Sequence, residues 1–250
     1  MPLLNFQRSG HGKPLVFIHG YLAGSGIWAA QIDRFSTRRD VICPDLAGFG
    51  KSGDQTAPNS ITGHAQLVLD LLDDLEISSF DLVGHSMGGM VVQEMARLAP
   101  DRIKSLVLYG TGPVGVLPGR FETTEQSRER LKTEGLGPTA RRIAATWFLH
   151  GEDATGFNLC LNLGQKASMQ AALASLEAWE NWDGRPNLSN ITARALVIWG
   201  SHDRSYEWSQ PQALWQGIKG CDLAVVPNAA HNVHLEKSRY FNELLTDFIE

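Results

Sequence analysis

The chain has 250 residues, of which 43% are hydrophobic and 20% are charged, and these values exclude collagen, a coiled coil and extended disorder. Its 22 Lys and Arg side chains against 27 Asp and Glu give a net charge of −5, and no run of basic residues is longer than a pair. A nucleic-acid partner or an anionic membrane surface is therefore not expected.

Three cysteines are scattered along the chain and form no C-x-x-C pair, so neither a disulfide framework nor a structural zinc site is predicted. They are Cys43, Cys160 and Cys221. The first residues lack the pattern of a signal peptide, and no apolar run approaches the roughly 18 residues of a membrane helix. We therefore expect a cytoplasmic protein with no membrane partner and no bound metal.

Short apolar runs that end in a breaker residue recur along the chain, as is typical of strands buried on both faces of a parallel sheet. They span residues 15–18, 41–43, 80–83, 106–109, 195–199 and 223–226. Apolar residues at helical spacing lie between and after them, at 65–72, 87–98 and 240–249. This alternation predicts an α/β fold with a mostly parallel central sheet flanked by helices.

The alternation stops between residues 113 and 190, where helical spacing at 139–149 and 168–182 replaces strand-like runs. This predicts a core domain of residues 1–112 and 191–250, with residues 113–190 inserted between two core strands as a helical lid, or cap. Large aromatic side chains in the lid either line a substrate pocket or pack the lid on the core. The candidates for pocket lining are Trp147, Phe148, Trp179 and Trp182.

A serine flanked by glycines follows the third predicted strand. The run Gly84-His85-Ser86-Met87-Gly88 fits G-x-S-x-G, with strand 80–83 before it and helix 87–98 after it. The turn forces the serine into strained backbone with positive φ, and side chains in place of the two glycines would collide. Ser86 is therefore predicted to be a nucleophile whose hydroxyl projects beyond the sheet.

A serine hydroxyl needs a histidine as base and a carboxylate that orients the histidine. In this arrangement the chain order is serine, acid, histidine. Asp203 follows strand 195–199 and His231 follows strand 223–226, so we predict a catalytic triad of Ser86, Asp203 and His231. His234 is the alternative base, although at its position it is expected to pack or to face solvent.

Two backbone amides are predicted to stabilise the negative charge that develops on the carbonyl oxygen. The Met87 amide is one, because it begins a helix. The Tyr21 amide is the other, because it follows the strand that ends at His19-Gly20. Two roles stay open for the Tyr21 side chain: contact with substrate in the pocket, or packing under the lid.

Taken together, these motifs resemble the α/β-hydrolase superfamily along the whole chain. The residues that carry the resemblance are His19-Gly20 with Trp28, residues 45–52, residues 84–89, Gly200-Ser201-His202-Asp203, and Ala230-His231. The resemblance implies an α/β-hydrolase fold and similarity to small serine carboxylesterases, enol-lactone hydrolases and C–C hydrolases. In similar proteins residues 45–52 form a structural turn, and Lys51-Ser52 here does not complete the frame of a phosphate-binding loop.

Residues and resemblance together predict hydrolysis of a carboxylic ester or lactone of a small, largely apolar substrate through an acyl-enzyme, without a cofactor. The same triad could instead hydrolyse a C–C bond of a vinylogous diketone, or carry out cofactor-free perhydrolysis. A candidate from another class is a ligand-binding receptor on a hydrolase fold.

Four basic side chains of the lid could pair with a substrate carboxylate if they turned inward, although solvated surface positions are expected. These are Arg120, Arg141, Arg142 and Lys166. The physiological substrate and the oligomeric state stay open at this point.

Overall fold

Seven strands are found in the computed structural model, which describes residues 3–116 and 119–250. They are β1 (Phe6–Gly10), β2 (Lys13–Ile18), β3 (Arg39–Pro44), β4 (Phe80–His85), β5 (Ile103–Tyr109), β6 (Arg194–Gly200) and β7 (Asp222–Val226). They form one sheet in the order β1-β3-β2-β4-β5-β6-β7. Strands β2 to β7 are parallel, and β1 pairs antiparallel with β3. The predicted α/β fold with a mostly parallel sheet is confirmed.

Helices connect the strands and cover the sheet. In the described ranges they are α1 (Ala29–Phe35), α2 (Ile61–Asp74), α3 (Met87–Leu98), α4 (Thr124–Thr133), α5 (Leu136–Thr146), α6 (Phe157–Gly164), α7 (Met169–Glu180), α8 (Ser209–Gly217), α9 (Val233–Glu236) and α10 (Ser238–Ile249). None of these helices is long and apolar enough to cross a membrane.

Burial on both faces explains why the central strands read as unbroken apolar runs. Along β2, Val16 and Ile18 belong to one hydrophobic cluster, whereas Leu15 and Phe17 belong to a second cluster. Successive side chains of a strand point to opposite faces, so each cluster lies under helices on one side of the sheet. The sheet is therefore the middle layer of three.

The edge strand β1 is absent from the predicted elements. All five of its residues are exposed, and its sequence, Phe-Gln-Arg-Ser-Gly, contains no apolar alternation. An edge strand that lies outside the core needs no such pattern, so hydrophobicity cannot reveal it. The short or polar helices α1, α4, α6, α8 and α9 are likewise absent from the predicted elements.

Helices α4 to α7 lie between β5 and β6, within residues 113–190, which we call the helical insertion. Its two ends meet, because Val114 and Asp183 form an isolated antiparallel bridge. The Gly184 amide also donates to the Pro113 carbonyl at 2.8 Å. The insertion therefore leaves the sheet and returns to it at one place, above the carboxyl ends of the parallel strands.

A buried ion pair ties the amino-terminal ends of β3 and β4 together. The guanidinium of Arg39 donates to Asp81, and both residues are less than 9% exposed. Arg39 also donates to the backbone carbonyls of Lys13 at 2.9 Å and Pro14 at 3.3 Å. The pair thus joins β3, β4 and the start of β2.

Replacing Asp81 with Ala should destabilise the fold by about 3–5 kcal/mol, because it leaves the Arg39 charge buried without a partner. Urea unfolding followed by circular dichroism measures this change. Asp183→Ala is the matched control, since Asp183 pairs with Arg185 at the surface and its loss should change stability little. Equal midpoints for the two variants would contradict the assigned role.

Candidate active site

Ser86 occupies a strained turn between β4 and α3. Its φ of 57° and ψ of −120° lie outside the regions favoured by non-glycine residues. A Cβ on Gly84 would lie 2.4 Å from the Gly88 carbonyl oxygen, and one on Gly88 would lie 2.4 Å from the Ile18 carbonyl oxygen. Only glycine fits at either position, which accounts for the G-x-S-x-G spacing in physical terms.

The end of β5 and the residues after it hold this turn in place. The Ser86 amide donates to the Tyr109 carbonyl at 3.0 Å, and the Thr111 hydroxyl donates to the Ser86 carbonyl at 2.8 Å. A Cβ on Gly89 would lie 2.5 Å from the Thr111 side chain, so α3 packs closely against it. Both polar backbone groups of Ser86 are thus satisfied in the strained conformation.

His231 and Asp203 form a buried pair in the loops after β7 and β6. The Nδ1 atom of His231 donates to Oδ2 of Asp203 at 2.8 Å. The other carboxylate oxygen accepts from the amides of Ser205 at 2.7 Å and Tyr206 at 3.1 Å. Because Nδ1 is occupied by the carboxylate, the free nitrogen of the ring is Nε2, the one that a base uses towards a nucleophile.

The backbone at His231 is anchored beside the nucleophile turn. Its carbonyl accepts from the Tyr109 hydroxyl at 2.8 Å and from Nε2 of His85 at 3.2 Å. Its ring packs against Gly110, where a Cβ would lie 3.2 Å from Nδ1. The rings of His231 and His85 are 4.5 Å apart between centroids, so the histidine lies next to the residue that precedes Ser86.

Tyr206 lies next to both His231 and Ser86. Its ring stacks on that of His231, with centroids 5.7 Å apart and planes 13° apart. Burial raises the pKa of Tyr206, and the neighbouring hydroxyl of Ser86 opposes that rise. Within residues 3–116 and 119–250, no hydrogen bond of ordinary geometry joins Ser86 to His231, and the Tyr206 hydroxyl has no partner.

The peptide between Gly20 and Tyr21 lies beside Ser86. Nδ1 of His19 donates to the Gly20 carbonyl at 2.8 Å while its Nε2 accepts from the Leu46 amide at 2.9 Å. Since a trans peptide points its C=O and N–H in opposite directions, the Tyr21 amide points away from His19. Gly20 lies so close to the nucleophile that a Cβ there would be 2.8 Å from Cβ of Ser86.

The Met87 amide begins α3 directly after Ser86. In the described part of the chain, neither this amide nor that of Tyr21 has a hydrogen-bond acceptor. The amides of Tyr21 and Met87 are therefore two donors without an acceptor near Ser86 in the described chain.

The side chains predicted to line a pocket lie in different surroundings. The Tyr21 hydroxyl donates to the Ala172 carbonyl at 3.2 Å, and its ring packs 4.8 Å from that of Trp179, under the helical insertion. The ring of Trp147 is 6.2 Å from that of His231. Trp147 therefore lies beside His231, and Trp179 lies beside Tyr21.

Trp182 and Phe148 pack between the helical insertion and the core. The indole N–H of Trp182 donates to Glu94 on α3 at 3.0 Å. Phe148 is fully buried and lies close to Gly156 and Leu235. These two side chains fasten the insertion to the core, the packing role that the sequence leaves open.

His234 packs behind His231. It is fully buried, its Nδ1 lies 3.0 Å from the Tyr109 hydroxyl, and its ring lies 4.7 Å from that of Trp28. Burial lowers the pKa of His234 to about 3. It therefore stays neutral inside the core, as the packing alternative predicts.

The turn at residues 45–52 has a structural role. Asp45 accepts from the Ser25 amide at 2.6 Å and from the Lys51 amide at 3.0 Å. These bonds position the Leu46 amide that contacts His19.

The three cysteines are buried and unpaired. No group of three or more His, Cys, Asp or Glu side chains that could hold a metal is found within residues 3–116 and 119–250.

Comparison with known proteins agrees with this architecture. Residues 13–238 match the family model described as alpha/beta hydrolase fold, and the chain belongs to that family. It is 29% identical over 245 residues to 3-oxoadipate enol-lactonase 2 of Acinetobacter baylyi, covering 96% of this chain and 90% of that protein.

Two further similarities extend over nearly the whole chain. A 2-hydroxy-6-oxo-6-phenylhexa-2,4-dienoate hydrolase of Comamonas testosteroni is 27% identical over 271 residues, covering 99% of this chain and 91% of the relative. The crystal structure of the enol-lactonase from Burkholderia xenovorans superposes with a TM-score of 0.89 at 25% identity, covering 98% and 96% of the two chains.

Gly20→Ala should slow the reaction of Ser86 with a fluorophosphonate by about 10-fold or more, because the added Cβ pushes the Tyr21 amide away from the nucleophile. The labelling rate, followed by intact-protein mass spectrometry, measures this. Gly137→Ala is the control, since its Cβ would meet nothing nearer than Nε2 of Gln165 at 3.8 Å. Equal rates for the two variants would show that the 20–21 peptide does not serve the site.

Proposed function

We propose that this chain is a serine hydrolase that cleaves a carboxylic ester or lactone of a small, largely apolar substrate through an acyl-enzyme. The observation that carries the proposal is the 2.8 Å bond from His231 to Asp203 beside the strained turn of Ser86. A buried carboxylate that fixes one imidazole nitrogen prepares the other nitrogen to accept a proton. This arrangement has little purpose in a protein that only binds a ligand.

In the acylation step, Oγ of Ser86 attacks the carbonyl carbon while Nε2 of His231 takes the hydroxyl proton. The carbonyl oxygen becomes negative and accepts hydrogen bonds from the amides of Tyr21 and Met87. When the tetrahedral intermediate collapses, the bond to the leaving oxygen breaks and His231 returns the proton to it. Asp203 stabilises the positive imidazolium between these two transfers.

Deacylation repeats these steps with water as the nucleophile. His231 takes a proton from water, the oxygen attacks the acyl carbon, and the bond to Ser86 breaks as the serine regains a proton. The products are the carboxylic acid and the free enzyme. The two histidine-assisted steps require no group beyond these residues and water.

We propose that residues 113–190 form a cap domain over a core of residues 1–112 and 191–250. Ser86 is only 8% exposed, and Trp147 and Trp179 of the insertion lie against residues of the site. Substrate therefore enters when the insertion moves, and closure removes water from the reacting groups. The aromatic surroundings favour an apolar body on the substrate.

The relatives support an acyl-type substrate. Two of those compared are enol-lactonases, and a lactone is a cyclic ester that this sequence of steps opens without change. The relative from Comamonas testosteroni is named as a hydrolase of an oxo-dienoate, which makes C–C bond hydrolysis the second candidate.

Ser86→Ala should lower kcat/KM for 4-nitrophenyl acetate by about 10³-fold or more, because the nucleophile is lost. Asp203→Asn should lower kcat by about 10⁴-fold, because it holds the wrong imidazole tautomer. Steady-state release of 4-nitrophenol measures both changes. Ser78→Ala and Asp222→Asn, at exposed positions, are the matched controls and should behave as the unmodified chain.

Undiminished turnover in Ser86→Ala would contradict the proposal. Release of one equivalent of 4-nitrophenol, followed by a stable complex, would favour a slow binding protein. Faster Ser86-dependent turnover of a vinylogous diketone than of any ester or lactone would favour the C–C hydrolase.

A further inference from the structure

Arg120 lies in the helical insertion, and its guanidinium turns inward. Nη1 donates to the Glu122 carbonyl at 2.9 Å and lies 3.3 Å from the Ser127 hydroxyl. The guanidinium carbon lies 4.5 Å from the ring centre of Phe121 and 5.3 Å from that of Trp179. The charged group is therefore held by backbone and aromatic contacts.

Every other arginine of the insertion has a carboxylate partner. These are Arg128, Arg130, Arg141, Arg142 and Arg185. Arg120 has none within residues 3–116 and 119–250. The carboxylate of Glu122 is used elsewhere, by the Ser127 hydroxyl and the guanidinium groups of Arg130 and Arg142.

A cation in this position is costly without an anion. Partial burial lowers the pKa of Arg120, and the charge of Glu122 partly opposes that fall. The donors Nε and Nη2 have no protein acceptor in the described chain. Arg120 is half-buried, and a partly buried charge is stabilised when a partner compensates it, so an anion from outside the chain would complete the contacts of this guanidinium.

Trp179 links Arg120 to the candidate active site, because its ring centre lies 5.3 Å from the guanidinium carbon of Arg120 and 4.8 Å from the ring centre of Tyr21. Burial raises the pKa of the Tyr21 and Tyr206 hydroxyls, and the charge of Arg120 partly opposes that rise. Tyr206 is 1% exposed and stacks on His231, yet its hydroxyl has no hydrogen-bond partner, and neither has the indole N–H of Trp179. Arg120 and Trp179 also line a cleft of about 90 Å³ at the surface of the insertion.

Two donors without an acceptor in the described chain therefore lie side by side: the guanidinium edge of Arg120 and the indole N–H of Trp179. Carboxylate oxygens satisfy such donors, and the Nε and Nη2 edge of arginine binds a carboxylate through two parallel bonds. Arg8 does this with Asp40 elsewhere in the chain, at 2.9 and 2.7 Å. A single positive charge matches a monoanion such as a carboxylate.

We propose that Arg120 binds a carboxylate group of the substrate, and hence that the preferred substrates are esters or lactones that carry a free carboxylate on an otherwise apolar body. The inference rests on the proposed function of Ser86, Asp203 and His231, and it adds the substrate class. Among the four basic candidates of the lid, Arg141 pairs with Glu152, Arg142 pairs with Glu134, and Lys166 is exposed.

Two matched pairs of esters test the proposal. In the first, 4-nitrophenyl hydrogen adipate is compared with its methyl ester, which places the charge on the acyl side. In the second, 3-acetoxybenzoate is compared with methyl 3-acetoxybenzoate, which places it on the leaving group. In at least one pair, kcat/KM for the anion should exceed that for the capped ester by about 10- to 100-fold.

Arg120→Met should lower kcat/KM for the anion to the level of its capped ester and so abolish this preference. Arg120→Lys should keep part of the preference. Arg141→Met, which removes an exposed charge of the same insertion, should keep all of it. No preference in either pair, or a preference that survives in Arg120→Met, would overturn the proposal.

A measurement on the unmodified chain covers the case in which Arg120→Met does not fold. Monomethyl adipate, which carries one carboxylate, should inhibit hydrolysis of a capped ester competitively, and dimethyl adipate, its neutral analogue, should bind at least about 10-fold more weakly. Equal affinity would overturn the inference while Ser86-dependent hydrolysis stands. Absence of Ser86-dependent turnover of all four esters would instead overturn the proposed function and the inference with it.

Discussion

The strained backbone of Ser86 is the constraint on which the site depends. A non-glycine residue at φ 57° and ψ −120° costs on the order of 1–3 kcal/mol and persists only where its surroundings compensate it. Here the compensation comes from the Tyr109 carbonyl, which accepts from the Ser86 amide, and from the Thr111 hydroxyl, which donates to the Ser86 carbonyl. Because one partner ends β5 and the other follows it by two residues, the pairing of β4 with β5 sets where the hydroxyl points.

The same strand end positions the proposed base. The Tyr109 hydroxyl donates to the His231 carbonyl, and Gly110 leaves room for the imidazole ring. The carboxyl end of β5 thus holds both Ser86, after β4, and His231, after β7, although the two residues are far apart in the chain. The carboxyl ends of parallel strands meet at one edge of the sheet, and that edge is where side chains from distant loops can act together.

The central parallel strands and the nucleophile turn could be predicted from sequence, because burial on both faces and the glycine spacing leave local signals. Strand β1 leaves none, since all five of its residues are exposed. Tyr206 was not predicted as a site residue: its only signal is its position three residues after Asp203. Arg120 looked like five other arginines of the insertion, and only the partners of those arginines in three dimensions set it apart.

The central claim is that an acyl group passes through the oxygen of Ser86. Rapid-quench mass spectrometry of the chain mixed with a slowly deacylating ester measures this directly. The account predicts a transient mass increase equal to the acyl group, located by digestion on the peptide that contains Ser86 and absent from Ser86→Ala. Turnover with no acylated species, or with the acyl group on another residue, would contradict it.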